Sequence, residues 1–216
     1  MKRFLMAVGA FLALAVAVHA EDVTVDLRYE PTVNTEPSPE VFTTVKLLRP
    51  VRIDTFTDKR AVADTYVGEL KVNGQVKRVQ AKTAVSVYAT DIFRKVYGEW
   101  GGRSSADDQL VLKAEITQLR VEDADGYQAR VGFHFFLKDT SGKVLWDGHS
   151  SGIVRGSGRN LTPESLSTFL SDILRATYTE MLEDDKLVGV WSGKVSNTYV
   201  IRDNVSTSSA QAASGR

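Results

Sequence analysis

Cysteine is absent from all 216 residues of this chain. Disulfide frameworks and thiolate metal sites are thereby excluded, and no lipid anchor on a cysteine is expected after an export signal. An excess of one charge is missing too, since 27 Lys and Arg residues balance 27 Asp and Glu. Without Lys2 and Arg3, which precede an apolar leader, 25 basic residues face 27 acidic ones, a net of −2. Such a balance leaves no electrostatic footprint for nucleic acid. No apolar run reaches the roughly 20 residues of a membrane-crossing helix, so no transmembrane segment is expected. There is no Gly-x-Ser-x-Gly elbow, and of three histidines only His134 and His149 stand outside the leader. A Ser-His-acid hydrolase has no supporting context, and no cofactor is implied. Internal repeats are absent as well.

What is plainly present is the leader. Met1-Lys2-Arg3 gives a positive start, residues 4–18 are almost wholly apolar, and Val18-His19-Ala20 places small or β-branched residues at a cleavage site. That is the layout of a secretory signal peptide cut after Ala20. With no cysteine, the chain reads as a periplasmic protein of a bacterial envelope, its mature part long enough for one domain.

Residues 23–29 alternate apolar and polar, the period of a half-buried strand. Residues 30–40 hold Pro31, Pro37 and Pro39 and read as an extended linker. Residues 45–56 read as a strand that Pro50 confines to an edge or a break. Residues 66–80 predict a hairpin on Asn73-Gly74, where both turn positions need positive φ. Val85, Tyr88, Ile92, Val96 and Trp100 then recur at helical spacing, and Gly98, Gly101 and Gly102 end that helix. Strands at 110–121, 127–138 and 144–154 follow as a meander. Thr162 and Pro163 open a second helix, Leu161 is placed to staple onto Leu166, and Leu170, Ile173, Leu174 and Met181 carry its apolar face. The acidic run 183–185 reads as solvated surface, and the small polar tail from Asn204 as disordered. The organisation expected is a signal peptide at 1–20, a strand and proline-containing linker at 21–44, an α+β domain at 45–191 and a largely disordered tail at 192–216. The fold class is α+β: a two-layer domain, mainly antiparallel, with two amphipathic helices on one sheet face.

Three groups of residues carry candidate chemistry. Arg155, Gly156, Gly158 and Arg159 surround a strand-to-helix connection, the setting of an anion-binding loop. Leu161 stands where a dinucleotide fingerprint requires glycine, so a plain connection is the simpler reading. Asp123 and Asp125 resemble the start of a calcium loop, but a strand follows at once, which favours a hairpin turn. His134, His149 and Asp147 lie on strands joined by Asp139-Thr140-Ser141-Gly142. A two-residue loop puts His134 opposite His149 with Asp147 close by, a metal pocket in outline. A type I turn with Gly142 as a bulge puts the histidines on opposite faces, and Asp and Gly at the turn ends favour it. In that register Trp146 stands opposite Phe136 and Val144 beside Lys138, giving an aromatic patch on the face away from the helices. Residues 23–29, a second copy of the chain or a protein partner would cover it.

Taken together, an early Asp-x-x-x-Asp-x-Arg stretch (Asp54, Asp58, Arg60), the helix after it, the strand at 110–119, the meander and the closing helix resemble the YajG-type family of bacterial envelope lipoproteins. The resemblance covers about residues 45–190. It implies an envelope protein of α+β architecture with no established catalytic residues; the missing cysteine marks a non-lipidated relative. The function expected is that of a non-enzymatic accessory, scaffolding or binding protein of the periplasm, with a protein partner or a homodimer. Small-molecule or metal binding is the alternative.

Overall fold

The computed structural model describes residues 22–32, 37–124, 126–156 and 161–194. The leader at 1–20 and the tail from 195 onward, read above as a signal and as disordered chain, lie outside the described residues. The elements run β1 (Val23–Val25), α1 (Pro39–Leu47), β2 (Arg52–Ile53), β3 (Thr57–Asp58), β4 (Tyr66–Val72), β5 (Gln75–Ala81), α2 (Val85–Glu99), β6 (Leu110–Ala124), β7 (Gly126–Asp139), β8 (Val144–Gly156), α3 (Pro163–Leu182) and α4 (Asp185–Ser192).

All eight strands join one mixed sheet in the order β1-β5-β4-β6-β7-β8, with β2 and β3 also on β6. Its backbone is the antiparallel meander β6-β7-β8. The free edge of β6 is shared by three short partners, all parallel to it: β2 at Val111 and Leu112, β3 at Glu115 and Ile116, and β4 at Val121 and Glu122. β4 and β5 form the hairpin that Asn73-Gly74 predicts; both residues take positive φ, 52° and 79°, between the paired Val72 and Gln75. β1 adds a parallel strand beside β5.

α2 and α3 lie on one face of this sheet, which makes the domain a two-layer α+β fold. Leu112, Ile116, Val131, Phe133, Phe135 and Leu137 from the sheet are buried against Ile92, Phe93 and Val96 of α2 and Leu166, Leu170, Ile173 and Leu174 of α3. Phe56 meets Phe93, Phe133 and Phe135 in an aromatic cluster that Tyr178 joins through Phe93, their rings edge-on at 4.9 Å.

The helix starts follow from local chemistry. Thr162 accepts a hydrogen bond from the Ser165 amide while Ser165 Oγ accepts from the Thr162 amide, a reciprocal cap ahead of Pro163. Two helices differ from the sequence reading. Pro39 opens α1 from the extended Ser38 instead of belonging to a linker, because a proline at the first helical position lacks only an amide that would be orphaned anyway. Val41, Val45 and Leu48 then share a buried stripe, so residues 45–47 end a helix and the expected strand at 45–56 is reduced to β2. The acidic run 183–185 is no idle surface either. Asp184 accepts from the Lys186 and Leu187 amides and caps α4, whose Leu187, Val190 and Trp191 are buried.

Candidate functional site

The register of the β7–β8 hairpin decides what the open sheet face presents. The turn takes the bulged form: the Asp139 amide donates to the Lys143 carbonyl, Gly142 has φ +88°, and the Asp139 carboxylate accepts from the Ser141 and Lys143 amides. The Ser141 hydroxyl, which also donates to that carboxylate, does most to hold it below the usual carboxylate range, and the two amides add to the effect. A second irregularity follows at once. Lys138 pairs with Val144, yet Leu137 pairs with Trp146, so Leu145 is an extra residue on β8. Two single-residue shifts cancel. His134 therefore stands directly opposite His149, and Phe136 opposite Asp147.

This overturns the expected placement of the histidines on opposite faces, and with it the Phe136–Trp146 pair. Trp146 turns to the helix side, 6% exposed within the core. Its indole fills the space over Gly148, where a Cβ would lie 2.3 Å from it. Val144 does stand opposite Lys138, 44% exposed. The signal for the second bulge is the run Val144-Leu145-Trp146, three apolar residues that simple alternation cannot accommodate.

On the open face the two imidazoles stack with centroids 4.0 Å apart and planes 18° from parallel. Phe136 lies 4.1 Å from the His134 ring, and the Lys138 ammonium sits over Phe136 at 5.3 Å. His134 Nε2 is 3.2 Å from an Asp147 carboxylate oxygen. Stacked rings present faces to each other, whereas metal ligands must converge their lone pairs on one point. Among the described residues no group of three or more His, Asp or Glu is arranged to hold a metal ion. The N-terminal strand does not cover this patch, because β1 is spent on the far edge of the sheet.

The candidate anion loop is displaced as well. Arg155 and Gly156 belong to β8, in register with Gln128 and Tyr127, so Arg155 projects from a strand. Gly158 and Arg159 lie outside the described residues.

Two ionic constellations have structural work to do. Arg60 and Asp58 form a buried pair, their side chains 6% and 9% exposed, and Arg60 also donates to the Tyr66 and Leu119 carbonyls at 2.8 Å. The Asp-x-x-x-Asp-x-Arg stretch thus closes the gap between β3 and β4 along β6. Beside it a cleft of about 370 Å³ opens among Tyr66, Arg78, Leu119 and Arg120. The second constellation has no counterpart in the sequence reading: Arg175 on α3 donates to Glu99 at 2.7 Å and to the Tyr29 hydroxyl, which itself donates to Glu99 at 2.8 Å. Its signal is an arginine on the apolar stripe of α3, four residues after Ser171 and three before Tyr178, both buried. Nearby amides of Arg28, Glu30 and Thr32 donate to Ser167, Ser171 and Asp172, lashing the N-terminal segment along α3. No described helix is long and apolar enough to cross a membrane.

Comparison of the sequence with protein-family models and with curated proteins gives no match. Among solved structures, the fold is similar to that of protein XCC0632 from Xanthomonas campestris, of the DUF330 family: TM-score 0.54, 10% identity, covering 82% of this chain and all of that one. A putative lipoprotein from Caulobacter crescentus aligns at TM-score 0.42 and 10% identity, covering 72% of this chain and 98% of that one. The PelC dodecamer from Paraburkholderia phytofirmans aligns at TM-score 0.40 and 16% identity, covering 63% and 87%. At these identities the first establishes a shared fold.

Proposed function

We propose that this chain is an exported, non-enzymatic accessory protein of the bacterial envelope, related to the YajG-type lipoproteins, that acts by docking a protein partner on the open face of its sheet. The observation that carries the reading is the patch of Phe136, His134 and His149, which faces away from the helices with Phe136 partly exposed. Aromatic surface of this kind, rimmed by Lys138 and Asp147, is what a protein interface uses as an anchor. The side chains that look most reactive, Arg60, Asp58 and Arg175, are instead engaged in tying strands and segments together. The leader at 1–20 supports export, with cleavage after Ala20, which the intact mass of the secreted form tests.

A photo-crosslinking residue placed at position 136 tests the docking face. It should yield one defined protein adduct in the envelope fraction, while the same probe at Glu183, on the helix side, should not. Equal or absent adducts at both positions would sink the reading. Small-molecule binding is the second reading, favoured by the cleft beside Tyr66 and Arg120.

A further inference from the structure

β8 is the last strand of the sheet, and among the described residues no strand pairs with its outer edge. Along residues 147–155 this edge is a template for another strand, which monomeric proteins usually shorten or block. In an antiparallel pair only alternate residues turn their main-chain groups toward a given neighbour. The Ser151 amide points away from β7, since it donates to the Glu180 carboxylate at 3.2 Å. The outward set is therefore Asp147, His149, Ser151, Ile153 and Arg155. Their side chains all lie on the open face, and Ile153 is 59% exposed.

We propose that a second copy of this chain pairs along β8, antiparallel about Ser151, so that two sheets join edge to edge. Charge selects both the partner and the register. Asp147 is the one carboxylate and Arg155 the one guanidinium of this outward set, and they sit four positions to either side of Ser151. A two-fold axis at Ser151 sets Asp147 of each copy opposite Arg155 of the other, twice over, and His149 opposite Ile153. Moving the axis to His149 leaves Asp147 facing Ser151, and moving it to Ile153 leaves Arg155 facing Ser151. Only the Ser151 register pairs both charges, and it places a small hydroxyl residue on the axis, where a side chain must meet its own copy.

The helix layer fits the same arrangement. α3 rests on β8 so closely that a Cβ on Gly152 would lie 2.7 Å from Thr177 Oγ1. Ala176 and Glu180, one turn apart on α3, are both exposed. Glu180 is the competing element. Its carboxylate accepts from both Ser150 Oγ, at 2.7 Å, and the Ser151 amide, and must release that amide for the edges to pair. Glu180 thus guards the edge in the monomer and sets the strength of the dimer. The open faces of the two copies would form one surface, whether or not a further partner docks there.

Sedimentation equilibrium of the untagged protein tests this. Wild type should show a monomer–dimer equilibrium, Arg155→Asp should weaken it by about tenfold or more, and Asp147→Arg combined with Arg155→Asp should restore it. Glu180→Ala should tighten it. Circular dichroism identical to wild type confirms that these exposed substitutions leave the fold intact. A wild type that stays monomeric throughout the accessible concentration range, a dimer indifferent to Arg155→Asp, or a double variant that fails to recover overturns the proposal. None of these results depends on whether the probe at position 136 finds a partner.

Discussion

Arg60 grips Asp58 two residues before it and, with the same guanidinium, donates to carbonyls of two different strands, β4 at Tyr66 and the β6 residue Leu119. The pair stands where β3 has ended and β4 has not yet joined β6. A parallel sheet edge interrupted there would leave buried carbonyls unsatisfied, and the planar fork of arginine supplies donors in two directions at once. Burial by itself would raise the Asp58 carboxyl, but the hydrogen bonds and charge of Arg60 outweigh it and hold the group below the usual carboxylate range.

Arg60→Met should cost about 3–5 kcal/mol, because it leaves a carboxylate buried without its counter-ion. Urea unfolding measures this. The depressed Asp58 value means that its contribution to stability is present above the ordinary carboxylate range and is lost as pH falls through the folded-state value. Acid unfolding of Arg60→Met should therefore be shallower than that of wild type; parallel curves would show that the pair does not couple to folding.

Gly68 lies at the junction of β4 with β6, at φ +153°, and a Cβ there would come within 2.0 Å of the Val121 carbonyl oxygen. The obstruction is main chain, which cannot swing aside. Gly68→Ala should destabilise by about 3 kcal/mol through strain and overpacking together, read as a fall in the urea midpoint. Gly74→Ala, at a turn with open space around it, separates the effects of φ alone.

Tyr29 is pushed up to about 12, first by burial and then by its hydrogen bond to Glu99, against the opposing pull of Arg175. A raised value means the native state holds the phenolic proton more tightly than the unfolded chain does. Its contribution is intact below about pH 10 and is lost as pH rises toward about 12. Tyr29→Phe should remove this component from an alkaline unfolding curve followed by tryptophan fluorescence. Burial raises Tyr88, Tyr97 and Tyr178 in the same direction, so a common background remains in both proteins.

Leu170 is fully buried at the centre of the α3 face. Leu170→Ala should cost about 2–5 kcal/mol, with the spread set by how far the core collapses into the vacated space. A loss below about 1 kcal/mol would mean that α3 is not held by this face.

Local patterns determined a good deal. Asn73-Gly74 fixed a two-residue hairpin because few other residues accept two positive φ angles, and the Thr162-Pro163 start of α3 needed only neighbours within one turn. The apolar faces of α2 and α3 and the alternation along β7 followed from periods of 3.6 and 2, and with them the two-layer α+β class. What local patterns left open was any feature whose energy is settled between distant residues. Pro39 suits a linker or a first helical turn equally well, and only the burial of Val41 and Val45 chose the helix. The Asp139–Gly142 turn was correctly read as bulged, yet the compensating bulge at Leu145 depended on Trp146 finding the space above Gly148 in the core. Side chains alternate, so that one residue moved every later position of β8 to the other face; it carried His149 to His134 and took Trp146 away from Phe136. Tyr29, Glu99 and Arg175 lie on three segments up to 146 residues apart, and their meeting is a property of packing, where a buried arginine must find an acceptor wherever the fold supplies one.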